Sequence, residues 1–283
     1  MNRTAKIAGR QVCAIGQGTW FLGENPALYK AEKEALETGF REGMTIVDTA
    51  EMYGSGKSEI LVGDALKSIR REDAFVVSKV LPSHADKRSL PKALENSLRR
   101  LSTDYLDLYL YHWRGGTPLA ETVFALEEMK SSGKIRAWGV SNFDTDDMEE
   151  LFSISGGKNC AANQVLYHLG SRGIEYDLKP WLKSHGVSLM AYCPLAQGGS
   201  LRRGLFENSV VKTLAETYNV TVSEILLAWC IRDGNTIAIP RTAKSEHTKL
   251  NARACRLELS DDDLALLDKA FPPPQRKMRL DIQ

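Results

Sequence analysis

The chain lacks the marks of a secreted, membrane-embedded or nucleic-acid-binding protein. Its 283 residues include only five cysteines, Cys13, Cys160, Cys193, Cys230 and Cys255, widely scattered and without paired metal-ligand spacing. An odd, dispersed set suits a reducing compartment better than a disulfide framework. The opening MNRTAKIAGR has no apolar signal core, and no uninterrupted apolar stretch is long enough to span a bilayer. Charge of one sign is also missing: 37 lysines and arginines face 36 aspartates and glutamates. The field of the whole molecule therefore gives no reason to expect nucleic acid or an anionic membrane as partner. No linker of biased composition and no low-complexity tract interrupts the chain. One domain over residues 1–283 is expected, in a soluble cytoplasmic protein that is a monomer or a weak oligomer.

Two nucleotide motifs are absent as well. Gly16-Gln-Gly18 invites a dinucleotide-fingerprint reading, but Phe21 holds the third glycine position and Glu24-Asn-Pro26 postpones the next helix. Gly56-Lys57-Ser58 resembles the end of a phosphate-binding loop, yet the required upstream glycine is Glu51. A glycine-rich turn opening a helix explains that segment better.

What is present is an alternation. Strand-like runs fall at Val12–Gly16, Thr45–Asp48, Phe75–Lys79, Leu106–His112, Ile135–Val140, Ala162–Leu166, Ser188–Tyr192 and Thr236–Pro240. Helical patterns separate them, among them Ser89–Leu101, Leu119–Lys130 and Leu178–Ser184. Leu205–Tyr218 and Val222–Ile231 read as two helices before the last strand, and Asp261–Ala270 as one after it. This pattern favours a closed (β/α)8 barrel, an α/β TIM barrel, over an open doubly wound sheet. Ala5–Cys13 reads as a short N-terminal β-hairpin covering the barrel floor.

Four polar residues stand at or just past the ends of apolar strands: Asp48 and Tyr53 in TIVDTAEMYG, Lys79 in AFVVSK and His112 in YLDLYLYH. Strand ends in a barrel converge on one mouth. Reducing a carbonyl needs a hydride on carbon and a proton on oxygen. A tyrosine can give that proton if a neighbouring ammonium lowers its pKa. Lys79 supplies the charge, Asp48 holds Lys79 charged and oriented, and a neutral His112 positions the carbonyl oxygen. Singly, each residue has an ordinary structural explanation, as cap, solvated charge or packing; together they make the complete set that one reaction requires.

The stretches VDTAEMYGSGKSEILVG, VVSKV, YLDLYLYHW and GKIRAWGVSNF resemble the aldo-keto reductases, over a span from Gly16 to about Ala270. Within that family the likeness is to small bacterial members acting on methylglyoxal and related aldehydes. The resemblance implies a barrel, NADPH bound across its mouth, no metal, Tyr53 as general acid, and Asp48, Lys79 and His112 as its partners. It places Ser141, Asn142 and Gln164 at the carboxamide of a nicotinamide and Tyr192 under its ring; the competing reading of Ser141-Asn142 is a helix N-cap. Gly18, Thr19, Trp20, Asp48, Cys193, Pro194, Leu195 and Gln197 complete that bed. In the loop Pro194–Arg203, either Arg202 or Arg203 is available to phosphate or else is solvated.

IPRTAKSEHTKLNARA matches the family's adenosine 2′-phosphate site. Arg241 replaces a lysine, Thr242 a serine, and Asn251 fits the adenine edge. A guanidinium grips phosphate through parallel donors. His247 stands where an arginine is usual and Leu250 where an acid is common, so preference for NADPH over NADH should be weaker than in fully basic members. The resemblance makes Trp20 and Trp113 the pocket walls, with Met52, Tyr53 and His112 beside the substrate. The short tail after Phe271 predicts an open pocket for a small neutral aldehyde or dicarbonyl, and Cys193 reads as a buried, inert thiol more readily than as a redox-sensitive one. Two rival readings are a nicotinamide-binding auxiliary subunit with little catalysis and a Schiff-base aldolase using Lys79. The second explains neither Tyr53 nor the nucleotide-like site.

Overall fold

The structure, a computed structural model, describes residues 2–283. It opens with an antiparallel hairpin of β1 (Thr4–Ile7) and β2 (Arg10–Cys13). Ala8 and Gly9 form its two-residue turn with φ of 47° and 80°, the doubly left-handed geometry that matches strand twist. Eight parallel strands follow in sequential spatial order: β3 (Gln17–Gly18), β4 (Ile46–Asp48), β5 (Phe75–Val80), β6 (Leu106–Tyr111), β7 (Ile135–Ser141), β8 (Ala162–Leu166), β9 (Ser188–Tyr192) and β10 (Thr236–Ala238). Bridges from Ile15 to Ala238 and from Gly18 to Arg241 join first to last and close the barrel.

The expected first strand, Val12–Gly16, is corrected here. Its first half belongs to the hairpin, and the barrel strand itself is Gln17–Gly18. Ala14 and Gly16 still bond across the seam: Gly16 N–H donates to Ala238 O at 2.8 Å, and Ala238 N–H to Ala14 O at 2.9 Å. A hydrophobic run cannot show where a chain turns from one sheet to another. The seam also explains the glycines of the failed fingerprint. A Cβ on Gly18 would sit 2.7 Å from Ile239 O, and one on Gly16 would sit 2.9 Å from Ile46 Cβ. They permit close strand approach.

The intervening helices are α1 (Tyr29–Arg41), α2 (Lys57–Leu66), α3 (Ser89–Leu101), α4 (Leu119–Ser131), α5 (Thr145–Ser153) and α6 (Leu178–Ser184). The remaining ones are α7 (Gly199–Glu207), α8 (Ser209–Thr217), α9 (Val222–Cys230), α10 (Ser245–Ala254) and α11 (Asp261–Ala270). The single helix expected over Leu205–Tyr218 is two. Asn208 breaks it, accepting from the Val210 and Val211 amides at 3.0 and 3.3 Å as the N-cap of α8. Gly56 opens α2 at φ 90°, a turn into a helix.

The hairpin lies under the barrel. Arg10 reaches Ala74 O at 3.2 Å and Asp107 Oδ1 at 2.8 Å, at the starts of β5 and β6, and Ser188 Oγ at the start of β9 donates to Lys6 O at 2.9 Å. With the N-terminal face covered, the mouth opens at the other end. β5 and β6 are buried on both faces throughout, which is why they read as continuous apolar runs and why Lys79 within β5 stands out. Among the described residues no helix is long and apolar enough to cross a membrane.

Candidate active site

Asp48 ends β4, Lys79 lies one residue before the end of β5, His112 follows β6, and Tyr53 begins a short 3-10 turn after β4. All four are nearly inaccessible. Lys79 Nζ donates to Asp48 Oδ1 at 2.7 Å, to Thr49 O at 2.8 Å and to the Tyr53 hydroxyl at 3.1 Å. The second carboxylate oxygen of Asp48 accepts from Gln164 Nε2 at 2.8 Å. A buried ammonium and a buried carboxylate thus satisfy one another, as burial requires. Burial opposes the charge on Lys79, but Asp48 and Tyr53 outweigh it and hold its pKa above the ordinary lysine value.

Tyr53 departs from expectation. Burial raises its pKa, and the opposing pull of Lys79 is not enough to bring it below the ordinary value. The phenol is therefore kept protonated. Because its oxygen accepts from Lys79, its own proton is free to point elsewhere. The Tyr53 and His112 rings meet edge-on with centroids 5.9 Å apart. Burial, helped by Lys79, depresses His112 to about 2, so its imidazole is neutral. Its Nδ1 is buried without a partner. An unpaired buried N–H costs more than an unpaired lone pair, which assigns the single proton to Nε2.

Tyr53 and His112 help line a cavity of about 370 Å³ at the barrel mouth. Of the residues singled out in the sequence, Gly18, Thr19, Trp20, Asp48 and Met52 line it, as do Trp113, Ser141, Asn142, Gln164 and Tyr192. Cys193, Pro194, Leu195, Gln197 and Arg241 complete that set. Lys79 lies behind Tyr53. Four others fall elsewhere: Thr242 and Asn251 meet in a narrow crevice beside Gly16 and Leu36, Leu250 is half-buried outside both, and His247 is exposed on α10.

Ser141 and Asn142 do not cap a helix. Asp144 is the N-cap of α5 and forms a capping box with Asp147. Ser141 Oγ donates to Gln164 O at 2.8 Å, and Asn142, at φ 59°, sends Nδ2 to His112 O at 3.2 Å. The Tyr192 hydroxyl donates to Asn142 Oδ1 at 2.9 Å. Cys193 is only half-buried, with φ 49°, against the reading of a buried thiol; burial pushes its pKa up to about 11.

One feature of the site went unread in the sequence, one was left open, and one differs from expectation. Phe21 lines the cavity, 48% exposed and at φ 67°, its ring stacked on Trp20 with centroids 4.6 Å apart. Leu22 N–H closes the turn onto Thr19 O at 2.9 Å, so Phe21 holds a turn position that normally takes glycine. Arg202 turns into the cavity while Arg203 stays in solvent. Burial, and repulsion by Arg241, lower the pKa of Arg202, and among the described residues its guanidinium meets the Leu195 and Ala196 carbonyls and the Phe206 ring. The tail, expected to leave the pocket open, returns to its rim: Asp281 accepts from Ser171, and Gln283 N–H reaches the Tyr192 hydroxyl at 3.3 Å. Only the positive charge of Arg202 carried a signal in the sequence.

A closed parallel barrel with a protonated phenol, an ammonium and a neutral imidazole at its mouth defines a carbonyl-reducing enzyme. Residues 14–271 match the Aldo/keto reductase family, and the chain belongs to that family of oxidoreductases. It is 51% identical over 269 residues to methylglyoxal reductase YeaE of Escherichia coli, covering 95% of this chain and 94% of that one. Its fold matches crystal structures of an aldo/keto reductase from Klebsiella pneumoniae in complex with NADP and acetate and with NADPH. Both superpose with TM-score 0.97 at 51% identity over the whole of each chain.

Proposed function

We propose that this protein reduces small aldehydes and dicarbonyl compounds of the methylglyoxal type to alcohols with NADPH, as a one-domain cytoplasmic enzyme. The observation that carries the reading is the Tyr53 hydroxyl, accepting from Lys79 and free to donate into the cavity beside a neutral His112.

The residues present suit the cofactor. Arg202 and Arg241 face one cavity without a carboxylate partner among the described residues, an arrangement that calls for phosphate. Tyr192 offers a flat ring fixed through Asn142, and Ser141, Asn142 and Gln164 surround it with amide and hydroxyl groups. When bound, NADPH supplies the hydride to the carbonyl carbon. His112 Nε2–H holds the carbonyl oxygen beside Tyr53, and Tyr53 delivers its proton as negative charge grows there. The phenolate left behind is stabilised by Lys79, which Asp48 keeps charged. Trp20, Phe21, Met52 and Trp113 exclude water and sort substrates by shape. His247, exposed on α10 and not lining the cavity of Arg241, adds little grip on a 2′-phosphate, so the preference for NADPH rests on Arg241.

Purified protein should consume NADPH rapidly with methylglyoxal or a small aromatic aldehyde, and more slowly with NADH. Tight NADPH binding without turnover on either substrate would refute the assignment and favour a cofactor-binding auxiliary subunit.

A further inference from the structure

Four of the five cysteines are buried, and the fifth, Cys193, is half-buried at the barrel mouth. Among the described residues Cys160 and Cys230 are hydrogen-bonded only to carbonyls, and burial pushes each thiol up to about 12. Cys13 and Cys255, 242 residues apart in sequence, bring their sulfurs to 3.2 Å. Cys13 ends β2 of the floor hairpin, and Cys255 directly follows α10. The surrounding backbone is stitched together: Arg3 N–H donates to Cys255 O at 2.9 Å, and Ala14 N–H to Arg3 O at 3.1 Å. A disulfide needs about 2.05 Å between sulfurs, roughly 1 Å closer than these two stand.

We propose that Cys13 and Cys255 are a built oxidation site, forming a reversible disulfide under peroxide that latches the barrel floor to the end of α10. The two thiols share one contact in which either can donate, so either sulfur can be the attacker. The attacking thiolate takes one peroxide oxygen; the sulfur–oxygen bond forms, the oxygen–oxygen bond breaks, and hydroxide leaves to take up a proton. The second sulfur then attacks the sulfenic sulfur, a sulfur–sulfur bond forms, and water departs with the second thiol's proton. Two thiols and one hydrogen peroxide thus give one disulfide and two waters.

The latch lies at the end of the barrel opposite Tyr53. It closes a loop of nearly the whole chain and so restricts the unfolded state strongly. Oxidation should make the protein harder to unfold without touching the chemistry at the mouth.

The test exposes reduced, folded protein to a small excess of hydrogen peroxide, alkylates the remaining thiols and maps the peptides. The expected result is a loss of two hydrogens, a Cys13–Cys255 linked peptide, and Cys160 and Cys230 recovered alkylated. The melting temperature should rise by roughly 5 °C, return to its starting value with dithiothreitol, and leave NADPH turnover of the catalase-treated protein unchanged. Cys13→Ser and Cys255→Ser should each abolish the shift, and at least one of them should trap a dimedone-reactive sulfenic acid on the cysteine that remains. Recovery of Cys13 and Cys255 as free thiols, at the rate of Cys160 and Cys230, would overturn the proposal. So would a linked peptide that appears only once the protein has unfolded.

Discussion

Tyr53 is held protonated by burial, with the Lys79 ammonium 3.1 Å from its hydroxyl. Tyr53→Phe removes the proton but little volume. We expect turnover to fall by about 100-fold or more with NADPH affinity, measured by fluorescence quenching, within a factor of two. Lys79→Met leaves Asp48 charged in the interior beside a single amide donor, so this variant should lose about 3–5 kcal/mol in urea unfolding as well as its activity. His112 makes a separate prediction. Its folded pKa, about 2, lies below the unfolded value near 6.5, so between these the unfolded chain binds the extra proton. Stability from this residue is full above pH 6.5 and is lost as pH falls, by about 1.4 kcal/mol per unit. His112→Gln should flatten that part of the stability profile. Turnover in the wild type should show no inflection near pH 6.5 that belongs to this ring.

At the scale of elements, the turn Thr19–Leu22 combines strain with display. Phe21 occupies a left-handed conformation at a cost of about 1 kcal/mol, and its ring extends the wall begun by Trp20. Phe21→Gly relieves that strain but adds freedom to the unfolded chain. Its unfolding free energy should stay within about 1 kcal/mol of wild type while KM for an aromatic aldehyde rises several-fold. Equal KM values would deny the ring a part in the pocket. This turn also marks a limit of legibility. Trp20 could be named from sequence because it follows a strand in a familiar order; Phe21 could not, because glycine, not phenylalanine, announces such a turn. The break at Asn208 was hidden for a related reason: apolar periodicity runs on through it, and only the cap geometry divides α7 from α8.

Across the whole molecule, seven of the eight barrel strands were legible as apolar runs, and Asp48, Lys79 and His112 because each ends such a run, with Tyr53 close behind the first. Groups whose roles depend on loop paths were not. Arg202 and Arg203 are indistinguishable in sequence, and the backbone alone turns one inward. The net pKa of Tyr53 needed the depth of burial as well as its neighbour. Thr242 and Asn251, drawn from one continuous stretch, share a crevice, while His247 between them is exposed on α10. Closure of the barrel depends on the seam, where Gly18→Ala would press a methyl against Ile239 O. A loss of about 1–3 kcal/mol in urea unfolding is expected, against a negligible change for alanine at Gly116, where nothing lies within reach.

That seam joins residues 15–18 to residues 238–241. On a ribosome adding about 5–20 residues per second, the first barrel strand emerges and then waits on the order of 10–45 s for the strand that completes its edge. Until then β3 has one neighbour, and an open parallel sheet presents an unpaired edge to any other nascent chain. The molecule's most exposed moment is the interval before its last strand has been synthesised.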